Sequence, residues 1–430
     1  MFRNIPEKVE YILNRLRDEG YEAYAVGGCV RDTLLSKEPK DWDITTSAEP
    51  EQTKELFRRT VDTGIKHGTV TVLLGDDSFE VTTYRIDGEY EDSRHPKNVT
   101  FTKCLSEDLL RRDFTINAMA YNPKEGIVDL FGGQKDLENK LIRCVGNPFD
   151  RFSEDALRIL RAFRFSARLG FEIEPETERA ARELAPTLSK ISVERIREEI
   201  SKLLTSPRPE GFEKLEKSGV LKIILPELSG VFVDESRTRE ILSGIERTLS
   251  KAALSDHDAT AFAWAVVIAA ATSLKKDDAK QFARDVMWKL KFDTESVRLT
   301  AQIVSQSREP LPQTEEEVRR SMSLLSENIF KMWLLYLEET RLYDVEKPSE
   351  CELDRIRALS DRVLASGCCL SLKELAVSGR DLMGAGLSGG AKLGRCLDYL
   401  LDRVLEKPEN NNKETLLKLA GEYYDSCETA

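Results

Sequence analysis

Between Ser153 and Phe171 the chain reads SEDALRILRAFRFSARLGF, with apolar residues at Leu157, Leu160, Phe163 and Ala167. That spacing predicts a helix with one buried side. Its polar positions are arginines, Arg158, Arg161, Arg164 and Arg168, introduced by Glu154 and Asp155. Upstream the period is shorter: YEAYAVGG, WDITTS, TVTVLLG and FEVTTYRI have the β-branched and aromatic character of strands. The segments MFRNIPEKVEYILNRL and PEQTKELFRRT around them are helical in pattern. DGEYEDSRHPKNVTF, residues 87–101, is polar, mixed in charge and poorly periodic, and predicts a mobile loop. From about residue 141 strand signals nearly vanish. Amphipathic helices follow, punctuated at PRPEG, LPELSG, KKDD and EPLPQ, with no internal repeat. The pattern predicts an α+β N-terminal head followed by an all-α remainder of several helical modules.

Composition narrows the chemistry. The 430 residues carry 33% charged side chains and a net charge of −12, an acidic balance that argues against indiscriminate nucleic-acid binding but permits local basic patches. No stretch approaches the roughly 18 apolar residues of a membrane span, and the start lacks a signal-peptide core. Eight cysteines without CxxC or zinc spacing predict free thiols in a reducing, cytoplasmic setting. Only three histidines are present, so chemistry resting on a histidine base or a histidine-rich metal site is poorly supported.

Carboxylates and glycines supply candidates instead. In the extended DWD stretch, Asp41 and Asp43 share one face while Trp42 and Ile44 turn to the core. Adjacent carboxylates repel unless a cation lies between them, and Mg²⁺ takes one or two carboxylates plus substrate phosphates. Most D-x-D pairs, however, are solvated strand edges. Gly27 and Gly28 end a strand before the helical CVRDTLLSK, which permits close backbone approach and aims a helix N-terminus at an anion. Arg31 adds a bidentate phosphate ligand. The plainer reading is an ordinary strand–turn–helix connection. In LLRRDFTINAMAY, Arg112 stands within reach of a triphosphate, and Asn117 is a polar insertion suited to a backbone or ribose group. The plainer reading there is a capped helix start with a surface Arg–Asp pair.

GGCVRD…DWD, RRDFTINAMAY and SEDALRILRAFRFSARLGF, in this order and spacing, resemble the bacterial class II tRNA nucleotidyltransferases, the CCA-adding enzymes related to bacterial poly(A) polymerase. The likeness is specific over residues 20–230, including SVERIREEISKLL, and weaker over 377–405, which resembles the tail of the shorter enzymes lacking a phosphohydrolase domain. It implies a DNA polymerase β-like palm at 1–140, a neck at 141–205, a helical body at 206–305 and a tRNA-binding tail at 306–430. Asp41 and Asp43 would hold two Mg²⁺ ions and perform catalysis; Gly28, Arg31 and Arg112 would contact the nucleotide. Asp155 and Arg158 would read the base, with Arg161 and Arg164 along the same site. CTP and ATP would be the substrates and the tRNA acceptor end the partner, with the protein a monomer or homodimer free of membrane. Glu80 is the candidate third carboxylate, because a buried strand glutamate is otherwise expensive.

Helical geometry gives the reading pair a logic. Steps of three residues rotate by about −60°, so Asp155, Arg158, Arg161 and Arg164 form a sweeping band with the first two adjacent. Carboxylates accept and guanidiniums donate. Cytosine and adenine each present an amino donor beside a bare ring nitrogen, matching that pair. Guanine and uracil reverse the order, leaving buried groups unpaired at about 1–3 kcal/mol each. Glycines 379, 384, 386, 389, 390 and 394, before a helix with Lys392 and Arg395, suit RNA backbone phosphates or a flexible connection. A poly(A) polymerase is the nearest alternative, but this chain has EDALRILRA where those enzymes resemble EDPxRxLRA. A CC-only or A-only enzyme is a second alternative; the intact loop 85–101 favours full CCA addition. A noncatalytic RNA-binding protein on a dead palm is disfavoured by the presence of both aspartates.

Overall fold

The computed structural model describes residues 5–88, 99–252, 254–275, 278–339, 348–387 and 389–428. The chain forms two compact units, Met1–Leu242 and Ser243–Ala430. The division falls inside the stretch expected as body.

In the first unit, strands β1 (Ala23–Val26), β2 (Ile44–Thr46), β3 (Thr60–Gly64), β4 (Thr69–Leu74) and β5 (Asp77–Thr83) precede a ribbon of β6 (Arg85–Asp87) and β7 (Val99–Phe101). Strands β8 (Met119–Asn122) and β9 (Gly126–Asp129) complete a seven-stranded sheet of order β3-β4-β5-β2-β1-β8-β9. Its neighbours are antiparallel except β2 and β5, which run parallel. Side-chain alternation builds two faces. On one, Val9, Ile12, Leu13 and Leu16 of helix α1 (Glu7–Asp18) bury against Ala23, Ile44, Val72 and Val81. Each such large aliphatic contributes about 1.5–3 kcal/mol. On the other, Tyr24, Val26 and Ala120 pack with Tyr84 and Leu109.

Helices α2 (Gly28–Leu34), α3 (Pro50–Leu56), α4 (Leu105–Leu110) and α5 (Gly133–Glu138) connect the strands. Beyond them only the two-residue strands β10 (Leu141–Ile142) and β11 (Glu172–Ile173) interrupt helices. The segment expected as one helix is two: α6 (Pro148–Glu154) and α7 (Leu157–Leu169). They part at Asp155, which is extended with φ −139° and ψ 101°. Arg158 and Arg164 of α7 are buried with its apolar residues. Helix α8 (Pro175–Leu184) packs on α6, and α9 (Val193–Leu204) packs along α7. Helix α10 (Gly211–Lys217) crosses α7 so closely that a Cβ on Gly211 would lie 2.6 Å from the Ala167 methyl.

The second unit is helical throughout its described residues. The Asp256–Lys275 helix is buried nearly all round from Ala261 to Ala271, as expected of a central helix. Trp264 of this helix is fully buried, as are Phe330 and Trp333. Leu382, Cys396, Leu400, Leu416 and Tyr424 form a smaller C-terminal cluster. Among the described residues no helix is long and apolar enough to cross a membrane, and the seven cysteines from Cys29 to Cys396 are free thiols.

Candidate active site

Strand β1 ends at Gly27, whose φ of +80° only glycine adopts without strain. A Cβ there would lie 3.2 Å from Nη1 of Arg112. The Gly27 turn and Arg112 are therefore in near contact. Arg112 donates to Asp108 at 3.1 Å, while its Nε is buried without a hydrogen-bond partner. Burial alone would raise the Asp108 carboxyl, but Arg112 and Arg111 hold it below its usual value.

Asp41 and Asp43 stand just before β2, with Trp42 and Ile44 directed to the α1 face as expected. In the parallel register Ile44 faces Val81, so one residue earlier Asp43 stands opposite Glu80. Glu80 is exposed, which corrects the expectation of a buried glutamate; alternation turns Phe79 and Val81 inward and Glu80 out. The Asp43 carboxyl lies above its ordinary value, first through desolvation, then through repulsion from Glu80 and Asp41, against the pull of Arg112. Beneath it the Cys29 thiol, pushed up to about 12 by burial, donates to the Val26 carbonyl at 3.4 Å. Among the described residues no three His, Cys, Asp or Glu side chains form a ready-made metal cage. Crowded, unneutralised carboxylates nevertheless fit Mg²⁺, which completes its shell with water and phosphate oxygens.

The remaining predicted residues meet in a buried polar row. Arg31 is 3% exposed and donates to Asn117 at 2.6 Å and to Asp32 at 2.8 Å. Asn117 thus links two side chains, in turn donating to Asp113 at 3.1 Å. Asp113 accepts from the Phe114 amide at 2.8 Å and from two nitrogens of Arg161 at 2.8 and 2.6 Å. Burial would raise its carboxyl, yet Arg161 and the Asn117 hydrogen bond bring it down to about 2. Asp113 is therefore no surface partner of Arg111 or Arg112. It opens a 3₁₀ turn leading into β8, not the helix start that its sequence allowed. Arg164 pairs with Glu199 of α9, and the Phe165 ring lies 4.2 Å from Arg164, 5.3 Å from Arg31 and 5.4 Å from Arg161. Arg168, partly exposed, approaches Asp32 at 4.0 Å.

Asp155 and Arg158 flank the α6–α7 break instead of occupying successive turns of one helix. One Asp155 oxygen accepts from the Leu157 amide at 3.0 Å, and the other pairs with Arg195 of α9 at 2.8 Å. Arg158 donates to Glu154 at 2.7 Å, to the Arg151 carbonyl at 3.1 Å and to the Arg111 carbonyl at 2.9 Å. Sequence reasoning assigned no task to Arg195 or Glu199. The available signal was their four-residue spacing, which puts opposite charges on one face of α9. Residues 89–98 of the predicted loop lie outside the described residues; β6 and β7 pair at its two ends. In the second unit Gly390 caps the Ala391–Glu406 helix, and Lys392 lies over the Tyr424 ring at 4.3 Å.

Three family models match the chain. The poly A polymerase head domain covers residues 23–143, a probable RNA and SrmB-binding site of polymerase A covers 170–231, and a putative tRNA nucleotidyltransferase domain 2 covers 257–420. The chain is 38% identical over 418 residues to the CCA-adding enzyme of Lactobacillus helveticus, spanning 95% of this chain and 94% of that one. It is 37% identical over 415 residues to the CCA-adding enzyme of Enterococcus faecalis, again spanning 95% and 94%. The crystal structure of the Bacillus stearothermophilus CCA-adding enzyme in complex with CTP matches with a TM-score of 0.74 at 32% identity, over 98% of both chains.

Proposed function

The chain belongs to the class II tRNA nucleotidyltransferases, the CCA-adding enzymes, and from that premise we propose how its own residues add C, C and A to the 3′ end of tRNA. CTP and ATP are the nucleotide donors, and no nucleic-acid template enters. Asp41 and Asp43 would hold Mg²⁺, as two ions with substrate, and Glu80, opposite Asp43 in the strand register, would be the third carboxylate beside them. Bound there, the metal supplies an acidified ribose 3′-hydroxyl and charge neutralisation at the α-phosphate and departing pyrophosphate.

The protein's part is to bind and orient. The Gly27–Gly28 turn lets the triphosphate approach the backbone, and Arg112 keeps one buried Nε donor without a protein acceptor beside it. Arg31 and Arg164 act from behind the nucleotide through Asn117, Asp113 and Glu199. Arg161, about one third exposed, offers its outer edge to the nucleotide as well. Asp155 accepts from the amino group of cytosine or adenine, and Arg158 donates to the neighbouring ring nitrogen. The helical second unit holds the tRNA.

The observation that carries this reading is the meeting of Gly27, Arg112, Asp43 and Glu80 on one side of the sheet, where backbone access, a cation and carboxylates coincide. The test is incubation with Mg²⁺, tRNA lacking its 3′ end and each labelled nucleotide singly. CTP alone should be incorporated, ATP only after two cytidines, and GTP and UTP not at all. No incorporation would sink the enzyme reading. Long A tails on any RNA would select a poly(A) polymerase, and addition that halts at CC or needs preformed CC would select a partial enzyme.

A further inference from the structure

The Ala279–Lys289 helix of the second unit, AKQFARDVMWK, buries Ala279, Ala283, Val286 and Met287. Its other side carries Lys280, Arg284 and Trp288, four residues apart and each about 40° further round the axis. All three are exposed. Trp288 keeps 50% of its surface in water, whereas Trp264 and Trp333 are buried. Lys291 follows just beyond the helix, so residues 279–291 hold the cations Lys280, Arg284, Lys289 and Lys291 against the single Asp285, in a chain of net charge −12. Packing asks for none of this. Like charges one helical turn apart repel, and tryptophan is a side chain that folding ordinarily covers. Among the described residues none forms an ion pair with Lys280 or Arg284. The nearby carboxylates are engaged elsewhere: Asp285 accepts from the Gln281 side-chain amide at 2.8 Å, and Asp278 from the Lys280 and Gln281 backbone amides at 3.1 Å.

We propose that this stripe docks the sugar–phosphate backbone of tRNA: Lys280 and Arg284 neutralise two phosphates, and Trp288 packs its indole on a ribose or an unstacked base beside them. The proposal rests on the reading that the second unit holds the tRNA, and its residues are distinct from the glycine-rich segment before Lys392 and Arg395. Charge decides the occupant. An acidic surface repels RNA except where cations gather. Each phosphate neutralised there releases condensed counterions without any sequence being read. Lys280 and Arg284 stand about 6 Å apart along the helix, with Trp288 about 6 Å beyond, so one run of backbone can meet all three. The indole supplies a flat apolar face and a single N–H donor, which suits bases and 2′-hydroxyls.

Loss of the two cations and loss of the ring read out differently. In K280Q/R284Q the plot of log affinity against log salt should be shallower by about 1.5. The gap from the parent then closes about eightfold between about 50 and 200 mM salt. W288A should weaken tRNA binding about tenfold with the salt slope unchanged, because stacking releases no counterions. W288F, which keeps a ring, should fall between W288A and the parent. K289Q removes a charge about half a turn round the same helix from Lys280 and should leave the slope parental. In all of them kcat and the KM for CTP at saturating tRNA should hold, since none of these residues belongs to the catalytic head.

The experiment measures binding of tRNA lacking its 3′ end across that salt range for the parent, K280Q/R284Q, W288A, W288F and K289Q, with steady-state CTP addition, sedimentation and circular dichroism melts. A shallower slope in K280Q/R284Q together with weaker binding in W288A supports the proposal. Parental affinity and slope in both refute it, and the second unit then holds tRNA through other residues. A slope change in K289Q equal, per charge, to that of the double variant also refutes it, because it marks diffuse attraction and no docked stripe. So does a parent dimer that W288A dissociates with tRNA binding kept, which makes this face a contact between two copies. If the parent binds no tRNA, the reading on which the proposal rests fails and the proposal falls with it. Should W288A not fold, W288F decides by the same criterion.

Discussion

Replacing Asp113 by asparagine removes one charge from the centre of the buried row while keeping its shape. In the native protein that carboxylate accepts from the Phe114 amide, Asn117 and two nitrogens of Arg161, and its residue is 8% exposed. Its folded pKa of about 2, against an ordinary 3.8, corresponds to about 2 kcal/mol of stability at neutral pH. Arg161 is partly exposed, so the cost of leaving it without its partner stays below the ~3–5 kcal/mol of a fully buried pair. D113N should therefore be about 2 kcal/mol less stable than the parent at pH 7. The sign of the pH dependence follows from the depressed pKa. The stabilisation is complete above the unfolded value near 4 and is lost as pH falls through 4 towards 2. About half of the difference between parent and D113N should be gone by pH 3. Urea unfolding followed by circular dichroism from pH 7 to 3 measures it. Where the unfolding curve shows more than one transition, the relevant one is that which D113N shifts. A difference that stays constant across the range, or is under about 0.5 kcal/mol at pH 7, refutes the reasoning.

Three other substitutions test separate parts of the structure. D43N should cut nucleotide incorporation by about a thousandfold or more, by weakening the metal's charge partner, while the melting curve stays parental; incorporation within tenfold of the parent excludes Asp43 from catalysis. E80Q, at an exposed strand position, should lower kcat about ten- to a hundredfold with Tm unchanged, and a parental kcat removes Glu80 from the catalytic set. G211A should destabilise the first unit by about 1–3 kcal/mol, because its methyl meets Ala167 where two helices cross; an unshifted melt shows that α10 moves away freely.

Much of the sheet and its two faces was legible in the sequence. Ala23 and Ala25 alternate with Tyr24 and Val26, and Ile44 with Asp43, which is enough to separate the α1 face from the side that carries Asp43. The candidates for catalysis and base reading came from short motifs and from the family resemblance those motifs carry. Their partners did not. The acidic Glu154 and Asp155 read as the first turn of a helix, so the break between them and α7 left no periodic trace. Arg195 stands 40 residues from Asp155 and Arg161 stands 48 from Asp113, and no local pattern encodes such a pairing. For the same reason the carboxylate partners of the α7 arginines stayed hidden, because a guanidinium buried against a distant carboxylate is indistinguishable in sequence from one facing a ligand or water. Glu80 erred the other way: strand alternation was visible, but which of its faces lay open depended on the parallel partner β2.

The buried row of alternating charges has a consequence for synthesis. Arg31, Asp113, Arg161 and Glu199 become available to one another in chain order as the polypeptide lengthens. At about 5–20 residues per second, the interval from Arg31 to Glu199 is about 10–30 s. Until Glu199 has been made, Arg164 lacks its carboxylate partner and α9 is absent from the side of α7. The nascent head therefore waits, open around its arginines, for a helix that the ribosome has yet to deliver.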